Sequence, residues 1–491
     1  MGAGPLHPPL TAAAGRPPAA RPHRPGPSPL ALRRALPAMA AALGARVCLV
    51  GGYPRDLLLG RESVGDVDVV VEGASAGAAG EWLRRHWRRP EPVLVFERFG
   101  TAQLACRRLG AALTVEFVQA RAEAYRPESR KPSVRPGTLA EDIWRRDFTV
   151  NTLLLDGQGV ILDLTGRGLA DLQRRLLRTP LDPEETFAED PLRMLRAARF
   201  AAQLDFEPAP GLAAAMRRAA GRIRIVSVER IREEILRLVV APHPVRGLRL
   251  LRDTGLLAEV APELQAMVGV EQGGYHVGDV FEHTALACEV ASPARLVRLG
   301  ALCHDIGKPV TAVRQGERWT FHRHAEVGAE MARQMLRRWR LGHEEADQVA
   351  QLVRLHMRPI QYRPAWEDRA VRRLWHDAGP LMAPLLEVAR ADTRASRYPS
   401  TDDLEELARR LEAVDTAHPE GIRSPLDGHE LKRRFGWPDG PWIGRAQAVL
   451  LEAALEGTLR AGDPEGAEAH LRRELASWAP RAGERGGPPP A

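Results

Sequence analysis

Long apolar runs are missing from this 491-residue chain. A membrane-spanning helix needs about 20 consecutive apolar residues, and no stretch approaches that. The sequence therefore reads as a soluble protein with no membrane partner. Cysteine is scarce. The four present, Cys48, Cys106, Cys288 and Cys303, are scattered, with no CxxC pair and no even ladder. That pattern excludes a disulfide framework and points to a reducing cytoplasm. Residues 1–28 contain no acidic side chain, little serine and no amphipathic period. A segment so rich in Pro, Ala and Arg cannot bury enough apolar surface to order itself. We read it as a disordered tail or upstream extension in preference to a transit peptide, and residues 481–491 as disordered too.

What is present is positive charge. The formal net charge is +7, and Arg greatly outnumbers Lys. Guanidinium groups pair well with phosphates, which favours a polyanionic partner, although a GC-rich genome produces the same bias. The length leaves room for several domains. Nothing in the letters fixes an oligomeric state.

The most informative stretch, Val47 to Val71, reads VCLVGGYPRDLLLGRESVGDVDVVV. Two strand-type runs, Val47–Val50 and Val67–Val71, flank a Gly-Gly turn and a short helical segment, Arg55–Leu59. Asp66 and Asp68 lie two apart, so on a strand they point to one face. Like charges that close ask for a cation, and oxygen ligands suit Mg²⁺. Gly51 and Gly52 let backbone amides approach a phosphate. A helix is expected near Ala76–Trp87, then strands over residues 93–106 and 112–121, broken at Gly100 and Gly110. Glu116, in the second of these, is either a third metal-facing carboxylate or a solvent-facing one.

GG-x-x-R-D-x-x-L-G followed by G-D-x-D resembles the head signature of the polymerase β-like nucleotidyltransferases, and within them the class II branch of tRNA CCA-adding enzymes and bacterial poly(A) polymerases. The block EDIWRRDFTVNTLLLD, residues 141–156, resembles that family's RRDFT-x-N motif. Arg145 and Arg146 would bring two guanidiniums to a nucleotide's triphosphate or ribose, with Asp147 and Asn151 orienting them. Residues 187–206, FAEDPLRMLRAARFAAQLDF, read as one amphipathic helix with Pro191 in its first turn and an apolar stripe of Leu192, Leu195, Phe200 and Leu204. Its Glu189, Asp190 and Arg193 match the EDxxR motif. The resemblance implies that Asp190 and Arg193 bond the base edge and replace a template; an ion pair within one helix gives the same letters. VSVERIREEILRL, residues 226–238, reads as a helix capped by Ser227.

A second constellation follows. His283, His304, Asp305, His324, His356 and Asp392 are ligand types suited to divalent metals, and HDIGK is spelled out. The set resembles the HD phosphohydrolases, which implies two metals bridged by Asp305, with Lys308 near a phosphate. The segment after Ser424 resembles the tail of long bacterial CCA-adding enzymes, where Arg433, Arg434 and Arg445 either meet tRNA phosphates or face solvent.

The resemblance implies an α+β chain. A nucleotidyltransferase head with a mixed sheet (29–166) precedes an all-α remainder: a base-selecting neck (167–255), an HD body (256–400) and a tail (401–480). It implies transfer of CMP, AMP or both from CTP and ATP to the 3′-OH of tRNA, with release of pyrophosphate. Asp66 and Asp68 would hold Mg²⁺, and Gly51, Gly52 and Arg55 would cradle the triphosphate. The HD body would bind Ni²⁺, Mn²⁺, Co²⁺ or Zn²⁺ and hydrolyse phosphoesters. Poly(A) polymerase, or an HD phosphohydrolase with an RNA-binding head, are the alternatives. Residues 121–142 occupy the place of a flexible loop that affects A addition in the family, so CCA, CC-only and A-only addition stay open.

Overall fold

The computed structural model of the chain describes residues 28–61, 65–87, 91–108, 111–126, 129–273, 278–316, 318–397, 400–460 and 462–475. Apart from Ser28, the two expected tails lie outside the described residues. The chain forms two compact units that divide after Arg174.

In the first unit, α1 (Pro29–Leu43) starts on Ser28, whose hydroxyl accepts from the Ala31 amide at 3.1 Å, and stops at Gly44 in the left-handed region. There follow β1 (Arg46–Val50), α2 (Gly52–Leu58), β2 (Asp66–Glu72), α3 (Ala76–His86), β3 (Leu94–Phe96), β4 (Thr101–Arg108) and β5 (Ala111–Gln119). Next come β6 (Arg121–Arg126), β7 (Ser129–Pro136), α4 (Leu139–Trp144), β8 (Leu154–Leu155), β9 (Ile161–Leu162) and α5 (Gly168–Gln173). Seven of these strands form one sheet in the order β3-β4-β5-β2-β1-β8-β9. It is mixed, since β2 runs parallel to β5 and antiparallel to β1.

The period of two decides which side chains of β2 are buried. Val67, Val69 and Val71 pack with Leu32, Leu36 and Met39 of α1, Leu83 of α3 and Phe117. Each such side chain contributes roughly 1.5–3 kcal/mol on burial. Asp66, Asp68 and Val70 face the other way, where Val70 meets Val50, Leu139 and Ile143. A slip of one residue would bury both carboxylates, so the valines fix the register that presents them. Gly157 answers to a close approach, because a Cβ there would stand 2.5 Å from the Pro37 ring of α1. Where the sequence suggested a flexible loop, β6 and β7 pair as an antiparallel hairpin of their own, bulged between Ala124 and Arg126.

The second unit is mostly helical, with two corrections to the reading above. Residues 187–206 do not form one helix but end α6 (Pro183–Glu189) and supply α7 (Leu192–Leu204). Asp190 sits extended at φ −137°, ψ 100° because the residue before a proline is kept out of the helical region, and Pro191 begins the next helix. The expected stripe of Leu192, Leu195, Phe200 and Leu204 is buried. The remainder is also not wholly helical. Leu176–Leu177 pairs with Glu207–Pro208, and Val313–Gln315 forms a hairpin with Arg318–Thr320. Ser227 precedes the helix Val228–Val239 as expected, but its side chain makes no capping bond.

Five helices, Val280–Val290, Arg295–Cys303, His324–Arg338, His343–Leu355 and Met382–Ala395, carry or adjoin the HD residues. Ala287, Ala301, Leu352, Leu385 and Val388 form part of their core. The C-terminal helices close over a separate core of Leu431, Phe435, Trp437, Leu450 and Leu471. There Arg434 pairs with Glu468 at 2.9 Å.

Candidate functional site

The first candidate site lies on the open face of β2. Asp68 is in register with Val50 on one side and with Glu116 on the other, while Asp66 pairs with Thr114. In neighbouring strands such partners share a face, so Glu116 stands beside Asp68. Burial and then the charges of Asp68 and Asp66 push the Glu116 carboxyl up, with Arg121 opposing them. Three carboxylates thus crowd one face. An all-oxygen set whose members repel one another fits a hard divalent cation.

The glycine turn closes over this face. Gly51 has φ +78°, and a Cβ there would stand 3.0 Å from Oδ2 of Asp68 and 3.7 Å from Nη1 of Arg146. Carboxylate, guanidinium and backbone turn therefore meet at one point, which neither the turn nor the RRD block reveals alone. Arg55 is 4 % exposed; it donates to Asn151 Oδ1 at 2.6 Å and to the Asp56 carboxylate at 2.8 and 3.0 Å. Asn151 in turn donates to Asp147 at 3.0 Å. These contacts tie α2 to the segment after α4.

Arg145 and Arg146 are also held by a residue that the reading of the sequence did not name. Asp142, fully buried, takes both guanidiniums. Its Oδ1 accepts from Arg145 at 2.6 and 3.2 Å, and its Oδ2 from Arg146 at 2.9 and 3.1 Å. Burial would raise this carboxyl, but Arg146 and Arg145 outweigh it and hold it below the usual range. Asp142 was legible: it lies three and four residues before the two arginines in a helical stretch. Thr138 and Glu141 form a capping box that starts α4 and sets this spacing.

At the junction of α6 and α7 the structure contains the i,i+4 ion pair that the letters also allowed. Arg193 bonds Glu189 at 2.9 Å and the Thr186 carbonyl at 3.3 Å. Asp190 accepts from the Leu192 amide at 3.2 Å and from Arg230 at 2.9 Å. Arg230 was missed, since it lies 40 residues away on another helix and only the tertiary fold brings it near.

The HD residues converge completely. Nε2 of His283 lies 2.9 Å from Asp392 Oδ1 and 3.2 Å from Nε2 of His304. His304 Nε2 lies 3.2 Å from Asp305 Oδ2; on the other side, His324 and His356 place Nε2 3.5 and 3.8 Å from Asp305 Oδ1. Two ligand groups result, His283–His304–Asp305 and Asp305–His324–His356, sharing Asp305. The Nδ1 atoms of His304, His324 and His356 each rest on a backbone carbonyl at 2.6–2.8 Å, which turns Nε2 inward as a ligand requires. Burial would lower His304, but Asp305 and Asp392 raise it to about 9; burial and the His304 charge push His356 down to about 3. Burial would raise Asp305 and Asp392, yet the imidazoles hold both below the usual range. Four imidazoles with two carboxylates suit divalent transition metals. Lys308, read as a phosphate contact, places its ammonium 2.6 Å from Asp305 Oδ2 and 2.8 Å from Gln272 Oε1.

No described helix is long and apolar enough to cross a membrane. Comparison with known proteins agrees with this layout. Residues 47–178 match the poly A polymerase head domain, residues 205–267 the probable RNA- and SrmB-binding site of polymerase A, and residues 273–398 the HD domain. The chain is 35 % identical over 421 residues to the A-adding tRNA nucleotidyltransferase of Deinococcus radiodurans, covering 81 % of this chain and 94 % of that one. It is 37 % identical over 445 residues to the CC-adding tRNA nucleotidyltransferase of Thermus thermophilus, covering 86 % and 92 %. Its fold is similar to the crystal structure of the Bacillus stearothermophilus CCA-adding enzyme in complex with CTP, with a TM-score of 0.66, 24 % identity, and coverage of 92 % and 98 %. At that similarity to curated relatives over almost their whole length, the chain belongs to the tRNA nucleotidyltransferase family.

Proposed function

We propose that this chain joins CMP, AMP or both to the 3′ end of tRNA, using CTP and ATP and releasing pyrophosphate. The observation that carries the reading is the meeting of Gly51, Asp68 and Arg146 on the carboxylate face of β2. The amides of the Gly51–Gly52 turn and the guanidiniums of Arg145 and Arg146 bind the triphosphate. Arg55, Asp147 and Asn151 hold that turn and the arginines' segment in place. The 3′-oxygen attacks the α-phosphorus, the bond to the β-phosphate's bridging oxygen breaks, and the hydroxyl proton passes to solvent. Asp66 and Asp68, with Glu116 beside them, would hold Mg²⁺, which when bound makes the 3′-hydroxyl more acidic and neutralises the leaving pyrophosphate. On this reading the head is 29–166, the neck 167–255, the HD body 256–400 and the tail 401–480, an order that the division after Arg174 and the HD match over residues 273–398 support.

In the HD body, His283, His304, Asp305, His324, His356 and Asp392 would hold a pair of transition metal ions, Ni²⁺, Mn²⁺, Co²⁺ or Zn²⁺. The reaction is phosphoester hydrolysis: a water oxygen bonds to phosphorus, the ester P–O bond breaks, and the leaving oxygen takes the proton. Four buried free thiols fit a reducing cytoplasm as the compartment. The direct test supplies tRNA lacking its 3′ end with each labelled NTP and resolves products at single-nucleotide resolution. Growth by defined C and A residues supports the reading. An unlimited A tail indicates a poly(A) polymerase, and no growth with any NTP refutes it.

Base choice is expected to rest on Asp190 and Arg193. Their alanine variants should admit UTP and GTP, each losing on the order of 1–3 kcal/mol of discrimination. Arg230→Ala should relax base choice in the same direction, because it frees the carboxylate that must be aimed. Unchanged rejection of UTP and GTP in competition assays would remove all three from base selection. Affinity for tRNA should also fall steeply with salt, through release of counterions from phosphates. A flat titration between low and physiological salt would speak against phosphate contacts.

A further inference from the structure

The register of the head sheet carries a row of side chains from the carboxylate centre to the sheet's edge. Val50, Asp68, Glu116, Gln103 and Leu94 are successive partners across β1, β2, β5, β4 and β3, so they share one face. Val70, Val118, Thr101 and Phe96 form the next row on that face. Toward the edge the face is open. Glu116 is exposed, and Leu94 and Phe96 are 56 % and 47 % exposed. Val93 and Val95 point the other way onto α3, where a Cβ at Gly80 or Gly77 would meet them at 2.8 and 3.3 Å. A strand whose second face meets water normally carries polar residues there; β3 carries Leu94 and Phe96 instead. The ring of Phe99 has the Arg98 guanidinium over it at 5.9 Å, whereas among the described residues Phe96 has no such contact.

The direction of attack says what lies on this face. Phosphoryl transfer keeps the attacking and leaving oxygens roughly in line. The Gly51 turn and Arg146, which take the leaving pyrophosphate, stand on the β1 side of Asp68. The attacking 3′-oxygen therefore comes from the β5 side, and the RNA behind it runs out over β5, β4 and β3. Three strand spacings, about 14 Å, separate Asp68 from Leu94. About four nucleotides cover that span at a stacked rise of about 3.4 Å. We propose that Phe96, with Leu94 beside it, is a stacking platform for one of the last few bases of the acceptor RNA before its 3′-hydroxyl. This rests on the reading of the head as a 3′-end nucleotidyltransferase. An aromatic ring accepts any base, so the platform aligns the strand without reading its sequence.

The test uses the full chain and tRNA lacking its 3′ end, either intact or with an abasic residue at each of its last few positions in turn. Phe96→Ala should raise KM for the RNA about tenfold, the loss one base stack produces, and leave KM for CTP and ATP unchanged. Phe96→Trp should keep the wild-type values. At one abasic position wild type should lose the same factor and Phe96→Ala nothing further, because ring and base form a single contact. Equal losses in both proteins at every position overturn the proposal, as does a KM for CTP that rises with that for the RNA. Fluorescence anisotropy with the same RNAs runs this cycle without turnover. If wild type extends no RNA, the transfer reading fails by itself. Binding then still decides on the platform, a shared loss supporting it and additive losses refuting it. If the open edge of β3 pairs with a second copy of the chain instead, Phe96→Ala changes the mass in light scattering and the RNA losses stay additive, which also overturns the proposal.

Discussion

Asp66→Ala combined with Asp68→Ala is expected to abolish nucleotide addition, on the order of 10³-fold or more, while hydrolysis at the HD centre persists. The two carboxylates project from a strand of the first compact unit, and the six candidate HD ligands lie in helices of the second or in the turns directly after them. Their donor sets also differ, oxygen alone in one and mainly imidazole in the other, so the sites draw on different metals. His304→Ala with Asp305→Ala should do the reverse. It removes the shared bridging ligand and should strip transition metal measurable by elemental analysis, with addition retained. Circular dichroism before assay separates chemistry from misfolding, since His304 and Asp305 are buried. Complete loss of addition in a folded HD variant would show that the two centres do not act separately.

Asp142→Asn should have the next largest effect, and in two measurements at once. The substitution keeps the side chain's shape and removes the charge that holds Arg145 and Arg146. Each arginine side chain is mostly buried, at 18 % and 17 % exposure, around the fully buried Asp142 side chain. Breaking such a cluster should cost on the order of 3 kcal/mol, the low end of the range for buried pairs because both cations keep some water. That is a large share of the stability of an ordinary domain. The pH dependence follows from the depressed Asp142 carboxyl. Its contribution is complete above the ordinary Asp range, about pH 4, and is lost as pH falls through the lower folded value. The variant should therefore lose less stability than wild type when denaturant unfolding is repeated from neutral pH to pH 3. Affinity for CTP and for ATP should fall together, because the arginines serve the triphosphate rather than the base. Selective loss of one nucleotide, or an unchanged acid limb, would place Asp142 outside the clamp.

Sequence alone settled what depends on neighbours in the chain. The strand period aimed Asp66 and Asp68 at one face, Gly51 and Gly52 marked a turn, and six ligand-type residues with HDIGK among them marked side chains that converge in one cluster. A proline and the residue before it already held the break at Asp190–Pro191 that a continuous helix reading passed over. What needed the tertiary structure were pairings between distant segments. Arg230 reaches Asp190 from another helix, and Arg55 reaches Asn151 across the head. The 313–320 hairpin beside the HD centre carries no alternating apolar pattern, so no periodicity announced it. Side chains exposed in sequence terms became functional neighbours only when the sheet register and helix packing set their distances. Local spacing fixes which groups share a face, whereas the burial of apolar surface decides which faces meet.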